Sequence, residues 1–288
     1  MAKIAVLISG ELRTFKVCRP SMTFLDDPRV DVYVSTWSET KYDFKDVGLF
    51  HQAEVTEETV MAILNRPATI LVEPVYSGGG FVDRMIHRWV SGFKLIVDSG
   101  VEYDWVLIVR PDIYFLSGGN QLEYSIDADS LSFRQRLTQD GKLPTDNEKF
   151  LTDTFIWGSW RSMRRLFDDL TVSRWLDSGI DEIHWHEWWW NYIVNIMKFK
   201  VIYKDNISVF CRHGCERIPE NAPYKIIMIA KHLIEWNELR TLNYWLERKR
   251  NGVTNHEIKI DTEINTILEI ESRWRSGYYD DKFGLMRK

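Results

Sequence analysis

The sequence predicts an α/β fold in three layers, in which helices cover both faces of a mostly parallel central sheet, followed by a helical C-terminal extension. Two observations predict it. Short apolar runs rich in β-branched residues alternate with segments whose apolar residues recur every three or four positions, which is the pattern of strands followed by helices. The apolar runs also end abruptly at polar or glycine-containing turns, as buried parallel strands do where they open into loops.

The first part of the chain predicts long, regular elements. Strands are expected at Lys3–Ile8, Val30–Thr36, Ala68–Val72 and Trp105–Val109, and helices at Glu57–Leu64 and from about Val82 to Ser99. The longer helix has an apolar face, formed by Met85, Trp89, Phe93 and Ile96. Because helices separate these strands along the chain, we expect the strands to lie parallel in one sheet.

The second part predicts shorter elements. Strands are expected at Leu131–Arg136, Asp153–Trp157, Val201–Tyr203 and Ser208–Phe210, and helices at Ser162–Leu170 and Glu187–Lys198. From Tyr224 onward the pattern is helical and amphipathic, with acidic and basic residues mixed on the polar face. A membrane-surface helix would need a basic polar face. We therefore expect this tail to pack on the core or to mediate homo-oligomer formation.

Composition excludes several classes of protein. The formal net charge of −5 and the pI near 5.9 argue against nucleic acid as a partner, because phosphate backbones require a basic surface. The N-terminal apolar run is too short for a signal peptide or a transmembrane segment. Three cysteines do not make a disulfide framework and fit a reducing compartment. We expect a cytoplasmic protein with no transmembrane segment.

Several common site motifs are absent from the sequence. The first strand is followed by SGELRT, which has one glycine where a dinucleotide-binding GxGxxG turn has three. Neither a GxxxxGK[ST] phosphate loop nor a GxSxG nucleophile elbow occurs. Cys211, His213 and Cys215 have no fourth ligand nearby at zinc-site spacing. These absences argue against nicotinamide enzymes, phosphate-loop enzymes, α/β-hydrolases and a zinc site.

The most informative segment is DWVLIVRPDIYF at residues 104–115, where an apolar strand stops at Arg110-Pro111-Asp112. A carboxylate at the end of a buried strand faces the crevice in which α/β sheets bind ligands. There Asp112 could hold a divalent cation that neutralises a diphosphate, and Arg110 could pair with phosphate or orient Asp112. The structural alternative is that Asp112 caps the following turn.

The motif combination resembles the GT-A-fold glycosyltransferases of bacterial and viral glycan synthesis. It consists of ISGELRTF at 8–15, DVYVSTW at 31–37 and DWVLIVRPDIYF at 104–115. In that family a DxD-type motif closes the nucleotide-binding half and binds the metal together with the sugar diphosphate. Here the motif is RPD, so Arg110 takes the place of the first aspartate and only Asp112 matches.

The resemblance also implies a metal site and a donor site. A late histidine followed by glycine matches His213-Gly214, which makes Asp112 and His213 the expected ligands of Mn or Mg. Arg84 and Arg88 lie one turn apart on a helix, and the alternative for at least one of them is an exposed helix face. The residues expected to bind the donor are Ser9, Gly10, Arg13, Thr36, Trp37, Arg84, Arg88, Arg110, Tyr114 and Arg212.

Two carboxylates are candidates for the catalytic base. Asp153, in DTFIWGSWRSM at 153–163, resembles the acidic residue that precedes the acceptor-binding segment in this family. As a hypothesis, Asp153 takes the proton of the acceptor hydroxyl in an inverting transfer. Glu187 is the other candidate, as a base or as a ligand of a sugar hydroxyl. The alternative for each is an acidic residue at a helix N-terminus, stabilised by the helix dipole.

The resemblance covers residues 3–215 and implies one domain at 1–223, with a nucleotide-sugar-binding half at 1–115 and an acceptor half at 116–223. Residues 224–288 form the helical extension. The function implied is transfer of a hexosyl or deoxyhexosyl group from a nucleotide-diphosphate sugar to a hydroxyl of a glycan or glycoprotein. Two alternatives remain open, a catalytically inactive carbohydrate-binding protein of the same fold and a metal-dependent phosphohydrolase built on Asp112, Asp153 and His213.

Overall fold

The computed structural model describes residues 2–12, 15–44, 49–115, 122, 126–127, 129–134, 151–180, 184–204, 208–210 and 246–252, with the backbone alone at 17, 40–44, 49–53, 204 and 209–210. Within these ranges the residues at 246–250 are helical. The rest of the expected C-terminal extension lies outside the described residues, as do Arg13, Arg212 and His213.

The described chain contains both long and short strands. In chain order they are β1 (Ile4–Ser9), β2 (Val30–Trp37), β3 (Glu39–Phe44), β4 (Leu49–Glu54), β5 (Thr69–Glu73), β6 (Trp105–Val109), β7 (Ile113–Phe115), β8 (Ser130–Arg134), β9 (Phe155–Ser159), β10 (Lys200–Lys204) and β11 (Ser208–Phe210). The α-helices are α1 (Phe15–Cys18), α2 (Glu57–Leu64), α3 (Phe81–Asp98), α4 (Trp160–Asp169), α5 (Val172–Asp177) and α6 (Trp185–Trp190), and α6 continues into a π-helical turn at Asn191–Ile196.

A seven-stranded sheet with the order β10-β8-β9-β6-β1-β2-β5 forms the centre of the molecule. Strand β1 pairs in parallel with both β2 and β6, whereas β9 runs antiparallel to both of its neighbours. The other strands of this sheet share one direction. The predicted mostly parallel sheet is therefore confirmed, and the arrangement is consistent with the GT-A-like fold that the resemblance implies.

Side chains of β1 point alternately to the two faces of the sheet, as the period of a strand requires. Ile4, Val6 and Ile8 belong to one buried cluster, and Ala5 and Leu7 belong to another. The first cluster includes apolar residues of α1 and α2, and the second includes those of α3, α4, α5 and α6. Because helices cover both faces, β1 is apolar from Ile4 to Ile8, and the predicted three layers are confirmed.

Helix α3 lies close to the sheet because of Gly92. A Cβ atom at this position would lie 2.7 Å from Leu7 Cδ1 and 2.8 Å from Ser35 Cβ. The N-terminus of the helix is fixed by Asp83, whose carboxylate accepts a hydrogen bond from the Gly80 backbone N–H, an arrangement that satisfies a donor otherwise left unpaired at a helix N-terminus. These contacts fix the position of the α3 residues that face the carboxyl ends of β1 and β2.

Several elements were not predicted. They are the β3–β4 hairpin, strand β7 and the short helices α1 and α5. Strand β11 was predicted, but its antiparallel pairing with β7 was not. The predicted helix at Glu187–Lys198 begins earlier, at Trp185, and its second half is π-helical. None of the helices in the described part of the chain has the length and hydropathy needed to cross a membrane.

Candidate functional site

A cleft opens where β1, β2 and β6 end. The strand register sets Ser9 beside Ser35 and Ile8 beside Val109, so the loops after these strands meet at one edge of the sheet, the usual position of a ligand site in this class. The cavity at its centre measures about 50 Å³. Its walls are formed by Ser9, Gly10, Glu11, Trp37, Phe81, Arg84, Met85, Arg88, Trp89, Arg110, Pro111 and Asp112.

One wall is made by the contact between the loops that follow β1 and β6. Gly10 has a φ of +139°, and its N–H donates to the Ser35 carbonyl at 3.1 Å. A Cβ at Gly10 would lie 3.1 Å from Pro111 Cδ, so a side chain here would be strained in backbone conformation and crowded. The glycine of the SG turn therefore allows the RPD turn to pack directly against it.

Arg110 binds two carboxylates at once. Its Nε and Nη2 donate to Asp112 Oδ1 and Oδ2 at 2.9 and 2.7 Å, and its Nη1 donates to Asp153 Oδ2 at 2.8 Å. All three side chains are largely buried, with exposed fractions of 13% for Arg110, 3% for Asp112 and 13% for Asp153. The pair with Asp112 is bidentate, the geometry in which a guanidinium and a carboxylate bind most strongly. We refer to these three residues as the Arg110 triad.

The antiparallel pairing of β6 with β9 forms this triad. Val109 lies opposite Phe155, and the Arg110 backbone N–H donates to the Thr154 carbonyl at 3.3 Å. The end of β6 and the start of β9 are thus adjacent, which brings Asp153 to Arg110 across 43 residues of sequence.

The pKa of Arg110 reflects the two carboxylates. Burial by itself disfavours the charged guanidinium, but the charges of Asp112 and Asp153 and the hydrogen bonds to them raise the pKa of Arg110 above its usual value. The guanidinium is therefore protonated at neutral pH, and the triad carries a positive group between two acids.

Arg88 is the second buried arginine of the cleft. Its side chain is 2% exposed, Nη1 donates to the Thr36 carbonyl at 2.9 Å, and Nη2 forms an ion pair with Glu73. The guanidinium carbon lies 3.9 Å from the centre of the Trp37 ring, a stacked cation–π contact. Burial lowers the pKa of Arg88 to about 10, so this residue is also charged at neutral pH.

Two polar atoms of the cleft are buried without a partner. Neither Ser9 Oγ nor Arg88 Nε has a hydrogen-bond partner among the described residues, although Ser9 is only 2% exposed. A buried donor left unpaired costs free energy, about 1–3 kcal/mol in mutational data. Both residues line the same cavity, so a bound group with acceptor oxygens there would satisfy them.

Aromatic rings form a stack behind Arg88. His87 lies between Trp37 and Tyr76, with ring centroids 5.8 and 4.6 Å away and interplanar angles of 11° and 15°. Burial lowers the pKa of His87 below its usual value, so the ring is neutral at pH 7 although Glu73 Oε2 lies 3.6 Å from its Nε2. The stack holds the end of β2, the start of α3 and the loop after β5 together.

The structure brings most of the described donor-binding candidates together. Ser9, Gly10, Trp37, Arg84, Arg88 and Arg110 line the cleft. Thr36 is buried behind it, where its carbonyl accepts from Arg88. Tyr114 does not line this cleft; it is 5% exposed and packs in the apolar cluster that contains α1 and α2.

Glu187 lies in a different groove. It is exposed on α6, and the groove of about 680 Å³ beside it is lined by Ile180, His184, Glu187, Trp188, Trp190, Asn191 and Asn195. None of these residues lines the first cleft. Of the two carboxylates expected to act as a base, Asp153 is the one bound to a residue of that cleft.

The resemblance implies a divalent cation at Asp112, but the described residues do not fit one. Both oxygens of Asp112 accept hydrogen bonds from Arg110. A Mg ion about 2.0–2.1 Å from either oxygen would lie against a guanidinium that does not lose its proton. No group of three or more His, Cys, Asp and Glu side chains in the described ranges is arranged to hold a metal. The role of His213 stays a prediction.

Some cleft residues were not recognised from the sequence. The side chains of Met85 and Trp89 were expected only to pack in the core, and Glu11, Phe81 and Pro111 were not proposed as site residues. A signal for the burial of Arg88 was present, because residue 88 falls between Met85 and Gly92 on the apolar face of α3. No local sequence pattern indicates the pairing of Arg110 with Asp153, because this contact depends on the antiparallel direction of β9.

No family model and no curated protein matches the sequence. Among solved structures, the chain is similar to the crystal structure of a glycosyltransferase involved in the glycosylation of the major capsid of PBCV-1. The TM-score is 0.36 and the identity is 10%, over 71% of this chain and 82% of that chain. A likeness of this degree does not extend to individual residues or to substrates.

Proposed function

We propose that this protein is a glycosyltransferase that moves a sugar from a nucleotide-diphosphate donor to a hydroxyl of a glycan or glycoprotein. The observation that carries the proposal is the cleft at the ends of β1, β2 and β6, where Arg84, Arg88 and Arg110 converge on a small cavity beside two carboxylates. The motifs that resemble GT-A glycosyltransferases lie on the same three strands.

The chemistry of the cleft supports binding of a diphosphate. Phosphate oxygens accept hydrogen bonds and carry negative charge, and guanidinium groups are the side chains best suited to bind them. Ser9 Oγ and Arg88 Nε are buried at the cavity and have no partner among the described residues. A cavity of about 50 Å³ suits a compact group such as one phosphate, with the rest of the donor extending over the more open part of the cleft.

Asp153 supports the transfer step itself. In the proposed reaction the acceptor oxygen attacks the anomeric carbon of the donor sugar while the bond from that carbon to the diphosphate breaks. The guanidinium groups stabilise the negative charge that develops on the leaving diphosphate. The acceptor hydroxyl loses its proton to a carboxylate, and we propose Asp153 for this role because it is held at the cleft by Arg110. With Asp153 as the base, we propose that the transfer inverts the configuration at the anomeric carbon.

An assay that measures two products separates this proposal from the alternatives. Nucleotide-linked hexoses and deoxyhexoses are incubated with the protein, with and without a panel of glycan acceptors, and nucleoside diphosphate and inorganic phosphate are quantified. A transferase releases nucleoside diphosphate from one class of donor, faster when an acceptor is present. Release of inorganic phosphate without an acceptor indicates a phosphohydrolase. No release of either product, with glycan binding retained, indicates a carbohydrate-binding protein and contradicts the proposal.

A further inference from the structure

The Arg110 triad places a cation between the two carboxylates of the cleft. Three guanidinium nitrogens are engaged, two with Asp112 and one with Asp153. Asp112 follows β6 and Asp153 precedes β9, so the guanidinium connects two strands of the sheet. A divalent ion that bridged these two acids would have to lie in the space that the guanidinium occupies.

The side chain of Arg110 is held firmly in this position. It is 13% exposed, and its backbone N–H is bonded to Thr154. The planar guanidinium group matches the carboxylate of Asp112, with which it forms two hydrogen bonds. Little side-chain entropy is therefore lost for each hydrogen bond that forms. Removing the guanidinium would take a bidentate counter-charge away from a buried acid, which is strongly unfavourable.

Other positive groups are available to a bound anion. Arg84 and Arg88 line the same cavity, and Arg88 has a buried Nε without a hydrogen-bond partner in the described part of the chain. The charge that a diphosphate requires is thus present in side chains of the cleft. A metal ion, whose usual contribution is to neutralise that group, would add a charge where guanidinium groups already converge.

We infer that the Arg110 guanidinium takes the place of a divalent cation between Asp112 and Asp153, so that the cleft binds its anionic ligand without a metal. The identity of that ligand rests on the proposed function. The inference that Asp112 binds no metal does not rest on it. This inference departs from the expectation that Asp112 and His213 bind Mn or Mg.

Binding of Mn²⁺ alone tests the inference without any donor. Chelator-treated protein is titrated with Mn²⁺ and the free ion is followed by electron paramagnetic resonance, in wild type, Asp112→Asn and Arg110→Met. We expect wild type to show no Mn²⁺ site that depends on Asp112. We expect Arg110→Met to gain one, because two neighbouring carboxylates then lose the guanidinium that binds both of them. An Mn²⁺ site in wild type that is lost in Asp112→Asn would overturn the inference.

Two controls keep the outcome decisive. Arg110→Lys retains a positive charge and should bind no Mn²⁺ at this position, and circular dichroism establishes that each variant is folded. If Arg110→Met does not fold, Arg110→Gln, which is polar and neutral, replaces it. A folded neutral variant that gains no Mn²⁺ site would contradict the claim that the guanidinium stands where the cation would bind.

A second measurement separates this inference from the proposed function. Nucleoside diphosphates are titrated into wild type by calorimetry, in Mn²⁺ and in EDTA. Equal affinity in both conditions, within about twofold, supports binding without a metal, and an affinity at least about tenfold higher in Mn²⁺ contradicts it. If no nucleotide binds in either condition, the proposed function fails, while the Mn²⁺ titration still decides whether Asp112 holds a metal.

Discussion

At the scale of single residues, the two buried arginines of the cleft have pKa values shifted in opposite directions. Two carboxylates raise the pKa of Arg110 above its usual value in spite of burial, whereas burial lowers the pKa of Arg88 to about 10. Both stay charged at neutral pH. The two arginines also differ in their hydrogen-bond partners. Arg110 donates to two acids, whereas the buried Nε of Arg88 has no hydrogen-bond partner among the described residues.

Asp153→Asn tests the proposed base. The amide retains the size of the carboxylate but does not accept a proton, so we expect kcat for transfer to fall by about 10²–10⁴-fold, the usual contribution of a general base. Nucleotide affinity should change much less, because Asp153 is bonded to Arg110 and does not line the donor cavity. Steady-state kinetics and calorimetry measure the two effects. The matched control is Asp168→Asn, an exposed acid on α4, and near-normal turnover of Asp153→Asn would exclude this role.

The sequence identified cleft residues at strand ends, and it also named Arg84 and Arg88 on α3, but it did not show how far each of these two arginines is buried. Ser9, Trp37 and Arg110 follow or end apolar runs, and the edge of a parallel sheet is where such residues meet. Whether Arg84 or Arg88 faces the cleft depends on how α3 is rotated against the sheet. The stack of His87 with Tyr76 depends on the path of the loop after β5, for which the sequence offers no regular pattern.

At the scale of elements, Gly92 sets how closely α3 approaches the sheet. In an ordinary helix, replacing glycine by alanine would stabilise the protein by about 0.5–1 kcal/mol. Here the added Cβ would meet Leu7 and Ser35 at 2.7 and 2.8 Å, and overpacking of this kind costs about 1–3 kcal/mol. We therefore expect Gly92→Ala to lower the free energy of unfolding, measured in urea.

The same substitution should weaken nucleotide binding, because Arg88 lies one turn before Gly92 and reaches the end of β2 through Thr36. Lys94→Ala, at an exposed position of the same helix, is the control and should leave both quantities nearly unchanged. A gain in stability for Gly92→Ala would show that α3 can move away from the sheet without loss of packing.

His87 predicts a dependence of stability on pH. Its folded pKa lies below the usual value near 6.5 because of burial, so between the two pKa values the unfolded chain binds a proton that the folded chain does not. Stability should therefore rise with pH in this window, and fall as the pH is lowered from about 6.5 towards the folded pKa. His87→Phe keeps a flat ring in the stack and should remove the contribution of His87 to the slope of unfolding free energy against pH. Urea unfolding at several pH values measures it, and identical slopes in both proteins would contradict the assignment.

Regular elements were predicted well because periodicity determines them. The predicted bounds of α2 and of β6 agree with the structure. The hairpin of β3 and β4 was missed, since neither of its strands forms a long apolar run. The π-helical turn at Asn191–Ile196 was also missed, because π and α periodicity differ little over one turn.

At the scale of the whole molecule, the antiparallel direction of one strand brings the site residues together. Strand β9 runs against β6 and β8, and this reversal brings Asp153 from the second half of the chain to Arg110 in the first half. The sequence predicted a mostly parallel sheet and both residues, but not their contact. Strand order and direction depend on long-range pairing, which local patterns do not encode.

Glu187 tests whether the molecule has two separate binding regions. The groove beside it shares no lining residue with the first cleft. We expect Glu187→Gln to leave nucleotide affinity unchanged within about twofold and to raise the KM for the acceptor without a large change in kcat. This is the signature of lost binding that is equally strong in the ground state and the transition state. Calorimetry and steady-state kinetics measure these effects. A large loss of nucleotide affinity would place Glu187 in the donor site instead.

The central claim is that the cleft at the ends of β1, β2 and β6 binds a nucleotide-diphosphate donor through its arginines. The most direct test is calorimetric titration of UDP-, GDP- and dTDP-linked sugars into wild type, Arg88→Met and the control Arg164→Met, which changes a partly exposed arginine of α4. We predict that wild type and the control bind one nucleotide class, and that Arg88→Met, once shown to be folded, binds it about 10–100-fold more weakly, as expected for a lost charged hydrogen bond. Absence of nucleotide binding to wild type, or equal binding to Arg88→Met, would contradict the claim.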